Sequence, residues 1–288
     1  MNKALFALLE EKVGQNGGLW ERGLAEIIQS VALLGLSRSN FFNMAAFYGG
    51  TALRLLHGLD RFSEDLDFSL LTENSDFHLQ DYFGCIAAEL KSFGFPAEVM
   101  GKEKRFESTT ESAFIKANTV TLLISIGVPA DLIARFHQSS LTKVKIEVDV
   151  NPPGGADTVF EYVYDPVPFS LRSYDLPSLF AGKLHAVLAR AWGNRVKGRD
   201  WYDFIFYVRK GIPLSLGHLE ARLRQTGHFT ETVALSPERL KHLLLGRIST
   251  VDFVSARRDV ERFIPRPQDL NVWDKDFFSS LVDRIKFS

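Results

Sequence analysis

This sequence has a single cysteine, almost no net charge and no long apolar run. The single cysteine among 288 residues, Cys85, excludes an intrachain disulfide and a cysteine-based zinc site. The 34 Lys and Arg residues balance 35 Asp and Glu residues, so a nucleic-acid partner would need a local basic surface. No segment has the length that spans a bilayer, and the apolar run at residues 4–9 is too short for a signal peptide. We therefore expect a cytoplasmic protein with no membrane partner.

Two widespread enzyme motifs are also missing from the sequence. There is no Gly-x-x-x-x-Gly-Lys-Ser/Thr loop, which argues against a P-loop NTPase. There is no Gly-x-Ser-x-Gly element, which argues against the common α/β-hydrolases. The histidines are scattered without the spacing of metal ligands.

The hydrophobic content of 45% is enough for one large domain or two moderate ones. Periodicity predicts an α+β fold with a mixed α/β domain at 1–168 and a helical domain at 169–288. Predicted helices of the first domain are 3–13, 20–35 and 77–93, and predicted strands are 97–100, 113–116, 119–125 and 143–150, with a loop at 101–112. After residue 170 the pattern predicts helices only, at 175–193, 199–210, 215–225, 236–246, 251–263 and 273–286.

A glycine turn followed by two spaced acids is the most informative pattern. Gly49 and Gly50 leave backbone amides uncovered, and the run that follows from Thr51 is typical of a helix, whose N-terminus suits phosphate. Asp65 and Asp67 then alternate with apolar residues, so on a strand both carboxylates share one face. Adjacent carboxylates repel unless a cation lies between them, and Mg²⁺ prefers such oxygen ligands.

This pattern resembles the polymerase-β-like nucleotidyltransferases. More narrowly, GGTAL followed by RFSEDLDF at 61–68 resembles the AbiEii/AbiGii-type toxin family, over residues 45–210. The resemblance implies a mixed sheet with flanking helices followed by a helical domain. It also implies that Asp65 and Asp67 are catalytic and bind Mg²⁺. The implied nucleotide-binding residues are Gly49, Gly50, Thr51, Arg61 and Ser63.

A third carboxylate is expected on a neighbouring strand, because two-metal phosphoryl transfer uses more than one pair of acids. On the predicted strand 143–150, Lys145, Glu147 and Asp149 share one face. The resembled family has a Lys-x-Glu strand in the comparable place, which favours Glu147 as the metal ligand, with Asp149 the open alternative. The other reading is a solvated edge in which Lys143 and Lys145 balance the acids.

A second cluster of charged residues lies in the predicted helical half. Lys183 precedes a long apolar stretch of the helix predicted at 175–193, and Arg199, Asp200 and Asp203 lie at the start of the next predicted helix. The toxin family has a downstream lysine and an Arg-Asp-x-x-Asp element. By that resemblance Lys183 holds the nucleotide phosphates and Asp200 is an accessory catalytic acid, with Arg199 and Asp203 weaker candidates. The alternative is a buried ion pair between two helices.

The resulting hypothesis is Mg²⁺-dependent transfer of NMP from an NTP to an acceptor hydroxyl. By resemblance the acceptor is the 3′ end of tRNA, and the chain is a toxin with a cognate antitoxin. Basic residues that are candidates for an RNA-binding surface are Arg222, Arg224, Arg257, Arg258 and Arg262, unless they are ordinary solvated surface. The alternatives are a protein or small-molecule acceptor, a non-catalytic nucleotide-binding module, or an interaction protein.

Overall fold

The computed structural model describes residues 2–102, 109–190 and 196–288. The chain forms two compact units, one of Met1–Pro152 with Phe160–Ser173 and one of Pro153–Val159 with Tyr174–Ser288. In the described part of the chain, no helix is both long and apolar enough to cross a membrane.

A mixed seven-stranded sheet is the centre of the first unit, and its mixed character agrees with the expectation from the family resemblance. Its strands are β1 Ala45–Tyr48, β2 Asp65–Leu70, β3 Ala97–Gly101, β4 Thr110–Asn118, β5 Leu141–Asp149, β6 Thr158–Val163 and β7 Phe169–Tyr174. Their order across the sheet is β3-β4-β5-β2-β1-β7-β6. Strand β2 is parallel to β5 and antiparallel to β1, which places it between these two strands.

Seven helices accompany the described part of this sheet. They are α1 Asn2–Gln15, α2 Trp20–Ser37, α3 Phe41–Met44, α4 Gly49–His57, α5 Phe83–Ser92, α6 Thr119–Ile126 and α7 Ala130–Ile133, with a 3-10 turn at Leu79–Tyr82. Helix α2 is buried from Gly23 to Leu36. Phe68 packs edge-on against Phe41 with ring centroids 4.9 Å apart and lies 5.3 Å from Phe47. These buried rings pack beside the inner face of β1 and β2.

The second unit is mostly helical. Its helices are α8 Leu176–Ala189, α9 Gly198–Lys210, α10 Leu216–Gln225, α11 Pro237–Thr250, α12 Phe253–Glu261 and α13 Lys275–Val282, with a 3-10 helix at Pro267–Val272 and short parallel strands β8 Pro213–Leu214 and β9 Lys286–Phe287. Trp201 is fully buried and contacts Phe253 and Phe278 at 5.1 and 5.0 Å between ring centroids. These aromatic contacts join α9, α12 and α13 into one core.

Several predictions of secondary structure are corrected. Residues 119–125 are a helix and not a strand, because the Asn118 side chain accepts a hydrogen bond from the Thr121 amide and caps it. The region after residue 168 is not helical throughout, because it contains β7, β8 and β9. The predicted loop at 101–112 is shorter, because β3 reaches Gly101 and β4 begins at Thr110. Residues 103–108 of this loop lie outside the described residues. So do residues 191–195, at the end of the helix predicted at 175–193. The domain division at 168 and 169 stays a prediction.

A buried histidine makes the stability of the second unit sensitive to acid. His218 is fully buried, its Nδ1 donates to the Gly154 carbonyl at 3.0 Å, and its Nε2 accepts from Arg222 Nε at 3.0 Å. These partners require the neutral ring. Burial and then the charge of Arg222 lower the pKa of His218 to about 4, whereas the Gly154 hydrogen bond and Asp175 raise it.

We expect acid to destabilise the fold through His218. A histidine in an unfolded chain has a pKa near 6.5. Below that pH the unfolded chain therefore binds a proton at His218, whereas the folded protein keeps this side chain neutral. About 2 kcal/mol of the unfolding free energy should therefore be lost from about pH 7 to about pH 5. Denaturant unfolding across this range measures the loss, and His218→Asn should flatten the slope while lowering stability at neutral pH. An unchanged slope in the variant would contradict this assignment. The pKa of His185 is also lowered, to about 4, first by burial, so some acid sensitivity remains.

Candidate functional site

The glycine turn and the acidic pair are brought together by the pairing of β1 with β2. Tyr48, the last residue of β1, is the register partner of Asp67. Helix α4 begins at the next residue, Gly49. The start of α4 and the acidic start of β2 therefore lie side by side, although the sequence separates them by a helix and a loop.

Gly49 is in direct contact with the carboxylate of Asp67. Its φ of +86° lies in the left-handed region, which favours glycine. A Cβ at this position would clash with Oδ2 of Asp67 and lie 3.1 Å from its Cβ. Only glycine therefore lets the chain turn into α4 this close to Asp67. The carboxylate of Asp67 consequently lies beside the N-terminus of α4, which is a favourable place for phosphate.

Arg61 and Ser63 close around the second glycine. A Cβ on Gly50 would lie 2.6 Å from Arg61 Nη2 and 2.8 Å from Ser63 Oγ. Arg61 is 2% exposed, and its Nη1 donates to the Phe62 carbonyl at 3.0 Å. A nearly buried guanidinium thus lies at the first turn of α4. Thr51 is also buried, and its hydroxyl donates to the backbone carbonyl of Asp65, which ties α4 to β2.

Gln29 is a positioning residue that the sequence analysis missed. It lies fully buried in α2, and its amide donates to the carbonyls of Ser63 and Glu64 at 3.0 and 3.1 Å. In the same helix Glu26 accepts from Arg54 Nε of α4 at 2.9 Å. These contacts fix the loop before Asp65 and the helix after Gly49 to one support. The signal was available, since both are polar residues inside an otherwise apolar helical run.

The alternation predicted for β2 is confirmed. Leu66 and Phe68 are fully buried, while Asp65 and Asp67 are half-buried on the opposite face. The parallel pairing with β5 sets Lys145 beside Asp65 and Glu147 beside Asp67. All three acids therefore share one sheet face, on neighbouring strands about 4.8 Å apart.

The two candidates for the third carboxylate have different surroundings. Glu147 Oε1 lies 2.7 Å from Lys145 Nζ and accepts a 3.4 Å hydrogen bond from Ser112. Asp149 accepts the Asn151 amide at 3.1 Å at the end of β5, and its register partner on β2 is Ser69. Glu147 is thus the acid directly beside Asp67, and its role as a metal ligand stays a prediction.

The donor set at β2 suits magnesium in type. Within residues 2–102, 109–190 and 196–288, no three His, Cys, Asp or Glu side chains converge as a complete metal-binding group. Mg²⁺ is usually held by one or two carboxylates together with waters and substrate phosphates. The pair Asp65 and Asp67, next to a glycine that leaves Asp67 uncovered, fits that mode of binding.

In the second unit, Lys183 and Asp200 belong to an ion-pair network between α8 and α9. Lys183 Nζ lies 2.8 Å from Asp203 Oδ2 and 3.5 Å from Asp200 Oδ1. Asp200 also pairs with Arg190 at 2.8 Å. Asp203 is fully buried and is the closer partner of Lys183. The network has the contacts of the alternative reading, a buried ion pair between two helices, and roles for Lys183 and Asp200 in catalysis stay predictions.

We expect Asp203→Asn to destabilise the protein by about 3 kcal/mol, because it leaves the ammonium of Lys183 short of its closest buried counter-charge. Chemical denaturation measures the change. The matched control is Asp283→Asn, whose carboxylate pairs with Lys241 at 3.0 Å but is 82% exposed, and which should cost less than about 1 kcal/mol. Equal effects of the two substitutions would show that the network contributes little to stability.

The other basic candidates of this unit have structural contacts. The Arg199 guanidinium lies 4.2 Å from the centre of the Phe263 ring, and that of Arg262 lies 4.7 Å from it. Arg222 donates to His218, as described above. Arg224 pairs with Glu220 at 2.8 Å and donates to two backbone carbonyls. These contacts give Arg199, Arg222, Arg224 and Arg262 structural partners, and an RNA-binding role for the set with Arg257 and Arg258 stays a prediction.

Comparison with known proteins identifies the family. A family model described as nucleotidyl transferase AbiEii toxin, type IV toxin–antitoxin system, matches residues 31–278. No curated protein matches the chain. The crystal structure of JHP933 from Helicobacter pylori is 17% identical with a TM-score of 0.49, covering 91% of this chain and 88% of that one. A second H. pylori structure, provisionally named a nucleotidyltransferase, is 15% identical with a TM-score of 0.44, covering 89% of this chain and 90% of that one.

At these low identities and scores, the assignment depends on the family match, which spans most of the chain and includes the glycine turn, both acids of β2, Lys183 and Asp200. The chain belongs to the AbiEii nucleotidyl transferase toxin family of type IV toxin–antitoxin systems, and it is a nucleotidyltransferase.

Proposed function

We propose that this toxin transfers NMP from an NTP to the 3′ end of tRNA in the cytoplasm, in a magnesium-dependent reaction at Asp65 and Asp67. The observation that carries the proposal is the contact of Gly49 with Asp67, which joins an open helix N-terminus to a carboxylate pair. A phosphate group at the helix N-terminus and a metal ion at the carboxylates would therefore bind next to each other.

Different residues of the first unit would bind the triphosphate and the metal ion. The backbone amides at Gly49, Gly50 and Thr51 would face the triphosphate, and the buried charge of Arg61 beside them favours an anion. Asp65 and Asp67 would hold Mg²⁺, with Glu147 as the further ligand and Asp149 as the alternative. When bound, Mg²⁺ supplies Lewis acidity and neutralises the charge of the triphosphate.

In the proposed reaction, the oxygen of the acceptor hydroxyl forms a bond to the α-phosphorus as the bond to the β-phosphate bridging oxygen breaks. The hydroxyl proton is released and pyrophosphate leaves. Lys183 would offset the charge on the departing phosphates, with Asp200 as an accessory acid. These two roles are carried over from the family resemblance. Positioning and charge stabilisation supply most of the rate enhancement in such transfers.

The acceptor is tested with each α-labelled NTP, Mg²⁺ and total tRNA. A matched portion of the tRNA is first oxidised with periodate, which destroys the 3′-terminal diol. We expect label on intact tRNA and none on oxidised tRNA. Label on both would move the acceptor away from the 3′ end. Label on protein or on a small molecule alone would exclude tRNA as the acceptor. The antitoxin expected from the family is a partner to be sought once the acceptor is known.

A further inference from the structure

A row of basic side chains extends from the acidic pair across β5 and β4. Lys143 and Lys145 alternate along β5 on the face that carries Glu147. Lys145 is the register partner of Asp65 on one side and of Phe114 on the other. Lys116 of β4 stands directly opposite Lys143. We call Lys116, Lys143, Lys145 and Phe114 the lysine strip.

The like charges of the lysine strip lower the stability of the sheet. Like charges directly opposite each other on antiparallel strands destabilise a sheet, and Lys116 faces Lys143 in this way. Their ammonium groups lie 5.9 and 4.0 Å from the centre of the same Phe114 ring. Among the described residues, neither ammonium forms an ion pair with a carboxylate. The one acid opposite Lys116 on its other side is the exposed Glu98 of β3.

The strip is accessible. Lys143 is exposed, and Lys116, Lys145 and Phe114 are half-buried, while the alternate residues of both strands form the core. The three lysines therefore stand on a rigid sheet, with Lys143 the most exposed and Lys145 paired with Glu147 at 2.7 Å. Steps of one strand or two residues separate neighbouring lysines by roughly 5 to 7 Å. A cationic track with an aromatic platform is how proteins hold single-stranded nucleic acid.

The order of the strands separates the strip from the glycine turn. Strand β2 has β1 on one side, which leads into Gly49, and β5 on the other, which carries the lysines. The triphosphate expected at the glycine turn and a chain lying on the strip would thus approach Asp65 and Asp67 from opposite sides. This is the arrangement that transfer between a nucleotide and a nucleic-acid acceptor requires.

We propose that the lysine strip binds the acceptor as a single strand, its phosphates on Lys116, Lys143 and Lys145 and an unstacked base on Phe114. This inference deepens the proposed function and depends on its nucleic-acid acceptor. The overall charge of −1 gives no such signal, because the basic surface is local.

The test measures binding of a short 5′-labelled single-stranded RNA over a series of salt concentrations. The variant is Lys116→Gln with Lys143→Gln, and the control is Lys3→Gln with Lys91→Gln, two exposed helix lysines whose loss changes net charge equally. Each lost phosphate contact should reduce the salt slope by about 0.7, so the strip variant should lose about 1.4 and the control nothing. Phe114→Leu, which keeps apolar bulk, should weaken binding about tenfold with the slope unchanged.

Parallel assays separate the two ligands and the two claims. Binding of Mg²⁺-NTP should be the same in all variants, and a loss there with RNA binding intact would assign the strip to the triphosphate and overturn the proposal. A wild-type salt slope in the strip variant, or an unchanged KM for tRNA, would also overturn it while leaving nucleotidyl transfer standing. If wild type binds RNA through the strip but labels no RNA, the strip is an RNA-binding surface and not the acceptor site, which overturns this proposal together with the tRNA acceptor. A wild-type protein that binds no single-stranded RNA refutes the strip.

Discussion

Asp67→Asn should reduce nucleotidyl transfer by roughly a thousandfold or more while leaving the protein folded. The substitution removes the negative charge that would hold the proposed metal ion and keeps the size of the side chain. Metal ions supply several kcal/mol of transition-state stabilisation in such reactions. Asp65→Asn should act in the same direction. Neither should lower stability much, because each relieves repulsion between two half-buried carboxylates on one face of β2.

The measurement is the initial rate of label transfer at saturating NTP, with thermal unfolding of the same preparations. Asp76→Asn is the matched control, an exposed acid of the same unit that should keep wild-type activity. Full activity in either β2 variant, with the fold intact, would remove these acids from catalysis.

The second large effect is expected for Gly49→Ala. The added methyl group would clash with the Asp67 carboxylate oxygen Oδ2, and the backbone at φ +86° is strained for alanine. Either α4 or Asp67 must move, so transfer should fall by about a hundredfold or more, since displacement by about 1 Å is enough for that loss. Stability should fall by about 1 to 3 kcal/mol.

Gly58→Ala separates backbone strain from the contact with Asp67. Gly58 caps the other end of α4 with φ +73°, and a Cβ there would meet nothing within 4 Å. The control should therefore lose about 1 kcal/mol of stability and keep its activity. Equal activity losses in the two variants would show that general strain, and not the meeting of Gly49 with Asp67, explains the effect.

The local part of the site could be predicted from sequence, because it depends on short-range geometry. Alternation along a strand placed Asp65 and Asp67 on one face and Leu66 and Phe68 in the core, and all four positions are as predicted. The glycine turn also leads directly into a helix, as expected. Periodicity also predicted the mixed α/β character of the first domain, while the mixed sheet itself was an implication of the family resemblance.

The long-range part could not be predicted in this way, because it depends on strand pairing. Gly49 contacts Asp67 only because the preceding residue, Tyr48, pairs with Asp67 across β1 and β2. No local sequence pattern specifies that strand register. The lysine strip needs Lys116 of β4 to pair with Lys143 of β5, two strands that α6 and α7 separate in the sequence. The error at residues 119–125 had a local cause. Alternation in this segment favours a strand, whereas the cap at Asn118 starts a helix.

The pairing of Lys183 shows the same limit in the helical unit. The family resemblance favours Asp200 over Asp203 as the accessory acid, and in the structure Asp203 lies closer to Lys183, at 2.8 Å against 3.5 Å. Residues one turn apart on α9 present similar patterns, and packing between α8 and α9 decides which of them meets the lysine.

The most direct test of the account compares α-labelled and γ-labelled NTP in otherwise identical reactions with Mg²⁺ and total RNA. Nucleotidyl transfer at Asp65 and Asp67 predicts that only the α-label joins the acceptor and that pyrophosphate appears in equal amount. Both signals should vanish in the doubly substituted Asp65→Asn, Asp67→Asn protein. Transfer of the γ-label, with release of the nucleoside diphosphate, would make the enzyme a kinase and contradict the account.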